Sequence, residues 1–87
     1  MLHSVYILFS QKIKLFYIGY TNTYIDERLK KHNTNHKGFT GRTHDWKIIY
    51  FETYQNKTNA LKREKEIKKW KSKQKIIQLT GFVHPDF

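Results

Sequence analysis

The sequence predicts an α+β domain: a small, mostly antiparallel three-stranded sheet with helices, in the order β-β-α-β-α-α. Three observations carry this. Two runs rich in β-branched and aromatic residues lie close together near the N-terminus, split by a short polar break. A third such run stands alone in the middle of the chain. The segments after the second and third runs place apolar residues at helical spacing behind residues that cap helices.

His3 to Ser10 reads as the first strand and Lys14 to Tyr20 as the second, with the break at Gln11-Lys12 making a hairpin. Both are apolar at odd and even positions alike, so both faces of the sheet should be partly covered. A loop centred on Gln11-Lys12 would set Tyr6 opposite Tyr17 across the two strands. Asn22 or Thr23 caps a helix from about Tyr24 to Asn33, with Asp26 and Glu27 in its first turn. Ile25, Leu29 and His32 fall on one face of it. Residues 34–45 read as a loop, punctuated by Asn35, Gly38 and Gly41 and made basic by Lys37 and Arg42. Trp46 to Tyr54 is the third strand. Thr58 or Asn59 caps a helix from about Ala60 to Lys71, and Ser72 caps a last helix through Leu79. Residues 81–87 read as a C-terminal tail, which leaves residues 1–80 as one domain.

Composition narrows the function. The chain has 87 residues, enough for one small core. It has no cysteine, which rules out a disulfide framework, a thiolate metal site and a thiol nucleophile. Aromatic residues make up 16%, more than a disordered basic tail would carry. Seventeen Lys and Arg against seven Asp and Glu leave a net charge of +10. On so small a surface this creates a positive potential of several kT, which selects polyanionic partners, nucleic acid ahead of anionic membrane. The longest apolar run, Val5 to Phe9, is far too short to span a bilayer, and no signal-peptide pattern precedes it. A cytoplasmic protein is the expectation.

Four features do not follow from packing alone. Glu64 lies on the stripe formed by Ala60, Leu61 and Ile67, where a carboxylate is costly unless it pairs with Lys68 at i+4 or binds a metal. Arg28 and His32 share a helix face, with His32 continuing the apolar stripe and Arg28 bordering it. They are either an anion clamp or a surface ion pair and a helix-end histidine. Tyr6 and Tyr17 either stack across strands or aim two hydroxyls at one spot. Gly19 either ends a strand or marks a close approach of backbone to another group. His32 and His36 have helical metal spacing, but no third or fourth zinc ligand is near them in sequence.

Taken in order, these segments resemble the GIY-YIG nuclease superfamily. Ser4-Val5-Tyr6 stands where the family has Gly-Ile-Tyr, and Tyr17-Ile18-Gly19 matches its second half-motif in full. Asp26 to Asn33 is similar to the family helix that carries an arginine and, one turn on, a histidine or tyrosine. Ala60 to Lys68 is similar to its glutamate helix. The likeness covers roughly residues 3–79 and is closest to small stand-alone bacterial members. The departure at Ser4 exchanges one small residue for another.

The resemblance implies a three-stranded antiparallel sheet flanked by helices, and hydrolysis of DNA phosphodiester bonds with one Mg²⁺ or Mn²⁺ ion. Carried over by position, Glu64 is the metal ligand and Arg28 stabilises phosphate charge. Tyr6 is the leading general-base candidate, with Tyr17 and His32 orienting or activating water. A phenol of ordinary pKa near 10 is a weak base at neutral pH, so the site must favour its phenolate. Tyr20, Lys37, Arg42 and Lys68 lead a wider set of nucleic-acid contacts, joined by Phe39 and the remaining lysines and Arg63 of the last two helices. So small a chain has little room to read sequence, so specificity is low or borrowed from a targeting protein partner. RNA stands beside DNA as a substrate, and repair, recombination and mobile-element biology are all open settings. The competing reading is a non-catalytic nucleic-acid-binding module that keeps the fold.

Overall fold

The computed structural model describes residues 2–34 and 37–87. His36 and Asn35 lie outside the described residues, and with them the His32–His36 spacing. Strands β1 (His3–Ser10), β2 (Leu15–Thr21) and β3 (Trp46–Tyr54) form one antiparallel sheet in the order β2-β1-β3. Helices α1 (Ile25–His32), α2 (Lys57–Trp70) and α3 (Lys73–Thr80) complete the expected β-β-α-β-α-α order, and a 3-10 turn, Phe39–Arg42, falls inside the expected loop. None of the described helices is long and apolar enough to cross a membrane.

The hairpin register differs from the expectation. Ser10 pairs with Leu15, so the loop is Gln11–Lys14 rather than a two-residue turn, and Lys14 closes it with a left-handed φ of 55°. The slip is two residues. Tyr6 therefore faces Gly19, and Leu8 faces Tyr17. An even slip keeps every side chain on its own face, so Tyr6 and Tyr17 still share one, as diagonal neighbours.

β1 is the middle strand, which is why it is apolar without a break from Val5 to Phe9. Its odd residues Val5 and Ile7 form one core with Ala60, Ile67 and Ile76 of α2 and α3. Its even residues Tyr6 and Leu8 form a second with Trp46, packed by Tyr17, Ile48 and Leu29 of α1. Val5, Ile7 and Leu8 are fully buried, each contributing about 1.5–3 kcal/mol. A bulge opposite Ile7 and Leu8 turns Ile49 and Tyr50 together toward the α2 side.

The helix starts are set by different residues from those expected in two cases. α1 begins after Tyr24, which makes no side-chain cap bond. Thr21 and Thr23 hydrogen-bond each other instead, at 2.8 Å. α2 starts at Lys57, because Asn56 is the cap and accepts the Asn59 N–H at 2.8 Å. Ser72 caps α3 as expected, accepting the Lys75 N–H. Beyond α3, Phe82, His84 and Phe87 all pack on Phe9, at ring separations of 4.8–5.7 Å. His84 reaches the hairpin loop, donating its Nε2–H to Gln11 Oε1 at 2.7 Å while its Nδ1 accepts the Asp86 N–H.

Candidate active site

Tyr6 is the centre of the site. It leaves β1 on the even face, and its ring crosses over Gly19 of the edge strand β2. A Cβ at Gly19 would lie 2.5 Å from both Tyr6 Cζ and Oη, so the position has to be glycine for space. The ring is 1% exposed. Its hydroxyl meets His32 Nε2 at 2.7 Å, and His32 Nδ1 meets Thr40 Oγ1 at 2.8 Å. Thr40 is itself held from behind, because Trp46 Nε1 donates to its carbonyl at 2.8 Å. Tyr6, His32 and Thr40 are all buried, so this is a fixed chain of polar atoms from the sheet through α1 to the 3-10 turn.

Burial pushes the Tyr6 phenol up to about 12, against the pull of the Arg28 guanidinium, and the charges on Tyr17 and Glu64 push it further. The structure therefore fails to favour a phenolate, which a free-standing base would need. Arg28, Tyr17 and Glu64 thus all lie near enough to act electrostatically on that hydroxyl. Arg28 reaches it from α1, yet its buried Nε has no hydrogen-bond partner among the described residues. A buried guanidinium donor without a partner is costly.

Tyr17 completes the aromatic wall, with ring centroids 6.5 Å from Tyr6 and 5.0 Å from His32. Glu64 comes from the other layer. It lies on the buried stripe of α2 between Ala60 and Ile67, as its spacing requires, with its side chain 15% exposed. Lys68 pairs with it at 3.2 Å from a half-exposed position. The rotation of α2 that presents Glu64 is fixed one residue earlier. Arg63 Nε and Nη2 bond Glu52 of β3 at 3.0 and 3.1 Å, and Tyr50 and Tyr54 donate to the same carboxylate. Burial pushes that carboxyl up, but the bonds from Arg63, Tyr50 and Tyr54 outweigh it and hold it below the usual range.

The chain as a whole has relatives among known proteins. The GIY-YIG catalytic domain matches residues 2–77. The chain belongs to the GIY-YIG family. Domains of this family are generally nucleases. Two UPF0213 proteins from strains of Staphylococcus epidermidis are each 41% identical over 76 residues, 85% of this chain and 89% of their own. The solution NMR structure of a UPF0213 protein from Bacillus halodurans shares 31% identity with a TM-score of 0.55, covering 93% of this chain and 84% of that one. These relatives are small single-domain GIY-YIG proteins.

The other nucleic-acid candidates scatter around this GIY-YIG site. Tyr20 is turned to the opposite face, where it stacks on His3 and bonds its Nδ1 at 2.7 Å. Lys37 and Arg42 are exposed beside the 3-10 turn, and the Arg42 guanidinium lies 5.4 Å from the Phe39 ring centre. Arg63 is committed to Glu52 and Glu66. Lys73 and Lys75 lie over Phe87 and Trp70. Thr40 and Trp46 also belong to the site, through the Thr40 bond to His32 and the Trp46 bond to the Thr40 carbonyl. The signal for Thr40 was a small hydroxyl residue in a Gly-rich loop eight residues after His32, too common a pattern to select. A cleft of about 770 Å³ beyond α1, lined by Leu2, Tyr24, Ile25, Ile48 and Phe51 among others, contains none of the five converging residues. Its walls are chiefly apolar, and the charged residues that line it, Asp26 and Glu27, are acidic and would repel a phosphate.

Proposed function

We propose that this GIY-YIG protein is a divalent-metal-dependent endonuclease that hydrolyses DNA phosphodiester bonds with little sequence preference, of the kind that serves repair or recombination. The observation that carries the reading is the buried Arg28 Nε without a partner, placed against the Tyr6–His32 pair. It supports Arg28 as a donor to a phosphate oxygen.

Glu64 suits one Mg²⁺ or Mn²⁺ ion. Among the described residues no group of three His, Cys, Asp or Glu could hold a metal, so one carboxylate would share the ion with waters and phosphate oxygens. Hard cations with that preference are the ones this donor set fits. An ion held there by Glu64 would polarise the phosphate and offset charge on the leaving oxygen. Arg28 donates to a non-bridging phosphate oxygen and holds the group in line. Tyr6 accepts the proton of the attacking water as its own hydroxyl proton passes to His32 Nε2. This requires the His32 tautomer with its proton on Nδ1, facing Thr40. The water oxygen bonds to phosphorus, the opposite ester P–O bond breaks, and solvent protonates the departing oxygen.

The test is cleavage of plasmid, single-stranded and branched DNA, with RNA alongside, in Mn²⁺ or EDTA, beside Glu64→Gln. Metal-dependent nicking by the wild type, reduced at least 100-fold in Glu64→Gln, supports the reading. Binding without cleavage on every substrate overturns it in favour of a non-catalytic module that keeps the fold. Equal cleavage by both proteins removes Glu64 from the metal site.

A further inference from the structure

Phe39 is 42% exposed, yet it is not a loose surface ring. It stacks on Tyr17 at 25° with centroids 5.9 Å apart, and Trp46 backs it at 6.0 Å. Its turn is anchored on both sides of the ring. Thr40 bonds His32, and the Gly41 N–H bonds the Gly38 carbonyl at 3.2 Å. The exposed Arg42 guanidinium lies 5.4 Å from the ring centre. The row Phe39, Tyr17, His32, Tyr6 thus runs from solvent to the buried hydroxyl, and its outermost member is an aromatic ring with the long, exposed Arg42 guanidinium over it. Nothing in the packing of the core requires that ring to face water.

We propose that Phe39, flanked by Arg42, is a stacking platform for an unpaired nucleobase next to the phosphate that Arg28 receives. The proposal rests on nucleic acid being the substrate of the site. A base inside a continuous duplex has both faces covered by its neighbours and cannot reach such a platform, whereas an unpaired base offers a free face to phenylalanine or guanidinium. The platform therefore selects nucleic acids with an unpaired nucleotide at the cleavage position over uninterrupted duplex. It reads no base identity, since every base has a face to stack.

Binding is measured in EDTA, where cleavage plays no part, with oligonucleotides carrying 2-aminopurine in a single strand, a one-base bulge or a continuous duplex. The wild type should quench 2-aminopurine in the first two and prefer them to duplex on the order of ten-fold. Phe39→Leu should lose the quenching and the preference while keeping its duplex affinity, and Phe39→Trp should restore both. A wild type that binds all three equally, or a folded Phe39→Leu that keeps the preference, overturns the platform. Should Phe39→Leu not fold, a 5-iodouracil strand photocrosslinked to the wild type decides. A crosslink at Phe39 supports the platform, and crosslinks only elsewhere refute it. Metal-dependent cleavage that ignores unpaired bases defeats this proposal and leaves the nuclease standing. Quenching by a protein that never cleaves defeats the nuclease and leaves the platform.

Discussion

Gly19→Ala tests the geometry that places Tyr6. Gly19 is not in the left-handed backbone region, so alanine meets no backbone strain there, and the whole effect is steric. Its methyl carbon would lie 2.5 Å from Tyr6 Cζ and Oη and 2.9 Å from Tyr17 Cε2. Carbon atoms prefer about 3.5–4.0 Å, so the Tyr6 ring must retreat by about 1 Å. It is buried and joined to His32 at 2.7 Å, and a retreat of that size breaks the bond. Overpacking costs about 1–3 kcal/mol and the lost bond about 1 kcal/mol more. In a domain this small, that lowers Tm by about 10 °C or more. Thermal unfolding followed by circular dichroism measures it. The same substitution on a Tyr6→Leu background, where the clashing atoms are gone, should cost far less. A Gly19→Ala protein that melts within about 2 °C of wild type, or one whose cost is unchanged by Tyr6→Leu, refutes the close approach as the reason for the glycine.

Other expectations follow from the surrounding network. Glu52→Gln should destabilise by about 2–4 kcal/mol in urea unfolding, because Arg63, Tyr50 and Tyr54 all bond one partly buried carboxylate. The Glu52 pKa is depressed in the fold, so its stabilisation is present above the unfolded value near 4.5 and drains away below it. Stability of the variant should fall less steeply in acid. Tyr6 has the opposite sign. Its pKa is raised from 10.0 to about 12, so the neutral phenol's stabilisation is complete below pH 10 and is lost as pH climbs toward 12. Wild type should lose about 2 kcal/mol there that Tyr6→Phe does not. Thr40→Val should leave Tm within a few degrees but slow cleavage on the order of 10- to 100-fold, and alter its pH profile, because His32 loses the oxygen that orients it.

Strands and helices were legible because each had a local cause. β1 reads as continuous hydrophobicity because it is the central strand, and β3 reads from its aromatic and β-branched run. Glu64 is legible because one charged residue breaks a helical stripe in which Ala60 and Ile67 are buried. The register of the hairpin was not, since Gln11–Lys14 carries no Asn-Gly type of turn and is closed by Lys14 in a left-handed conformation that no glycine announces. The N-terminus of α2 was misplaced because Asn56, Thr58 and Asn59 are all good caps, and only the Asn59 N–H shows which one is used. The convergence of Arg28, His32 and Glu64 on Tyr6 depends on two layers meeting near an edge strand, which helical spacing cannot express. The direction of the Tyr6 shift was also hidden. A nearby arginine argues for a lowered pKa, and only the depth of burial shows that it loses.

That shift constrains how the proposed reaction must run. Before substrate arrives, the surroundings of Tyr6 carry Arg28 and the Glu64–Lys68 pair, and burial still keeps its proton on. A phosphate beside Arg28 adds negative charge and removes part of the one influence that lowers the pKa. A phenolate waiting for water is therefore least available when the substrate is bound. Tyr6 can act on water only by releasing its proton as it takes another, and His32 Nε2 stands 2.7 Å away to receive it. Two residues that act in a single transfer are one catalytic unit, and their losses do not add. Tyr6→Phe and His32→Gln should each lower single-turnover cleavage by a similar factor, and the double variant should be no slower than the slower single one. A double variant whose losses multiply would mean that the two act separately, with water deprotonated by a group other than this pair.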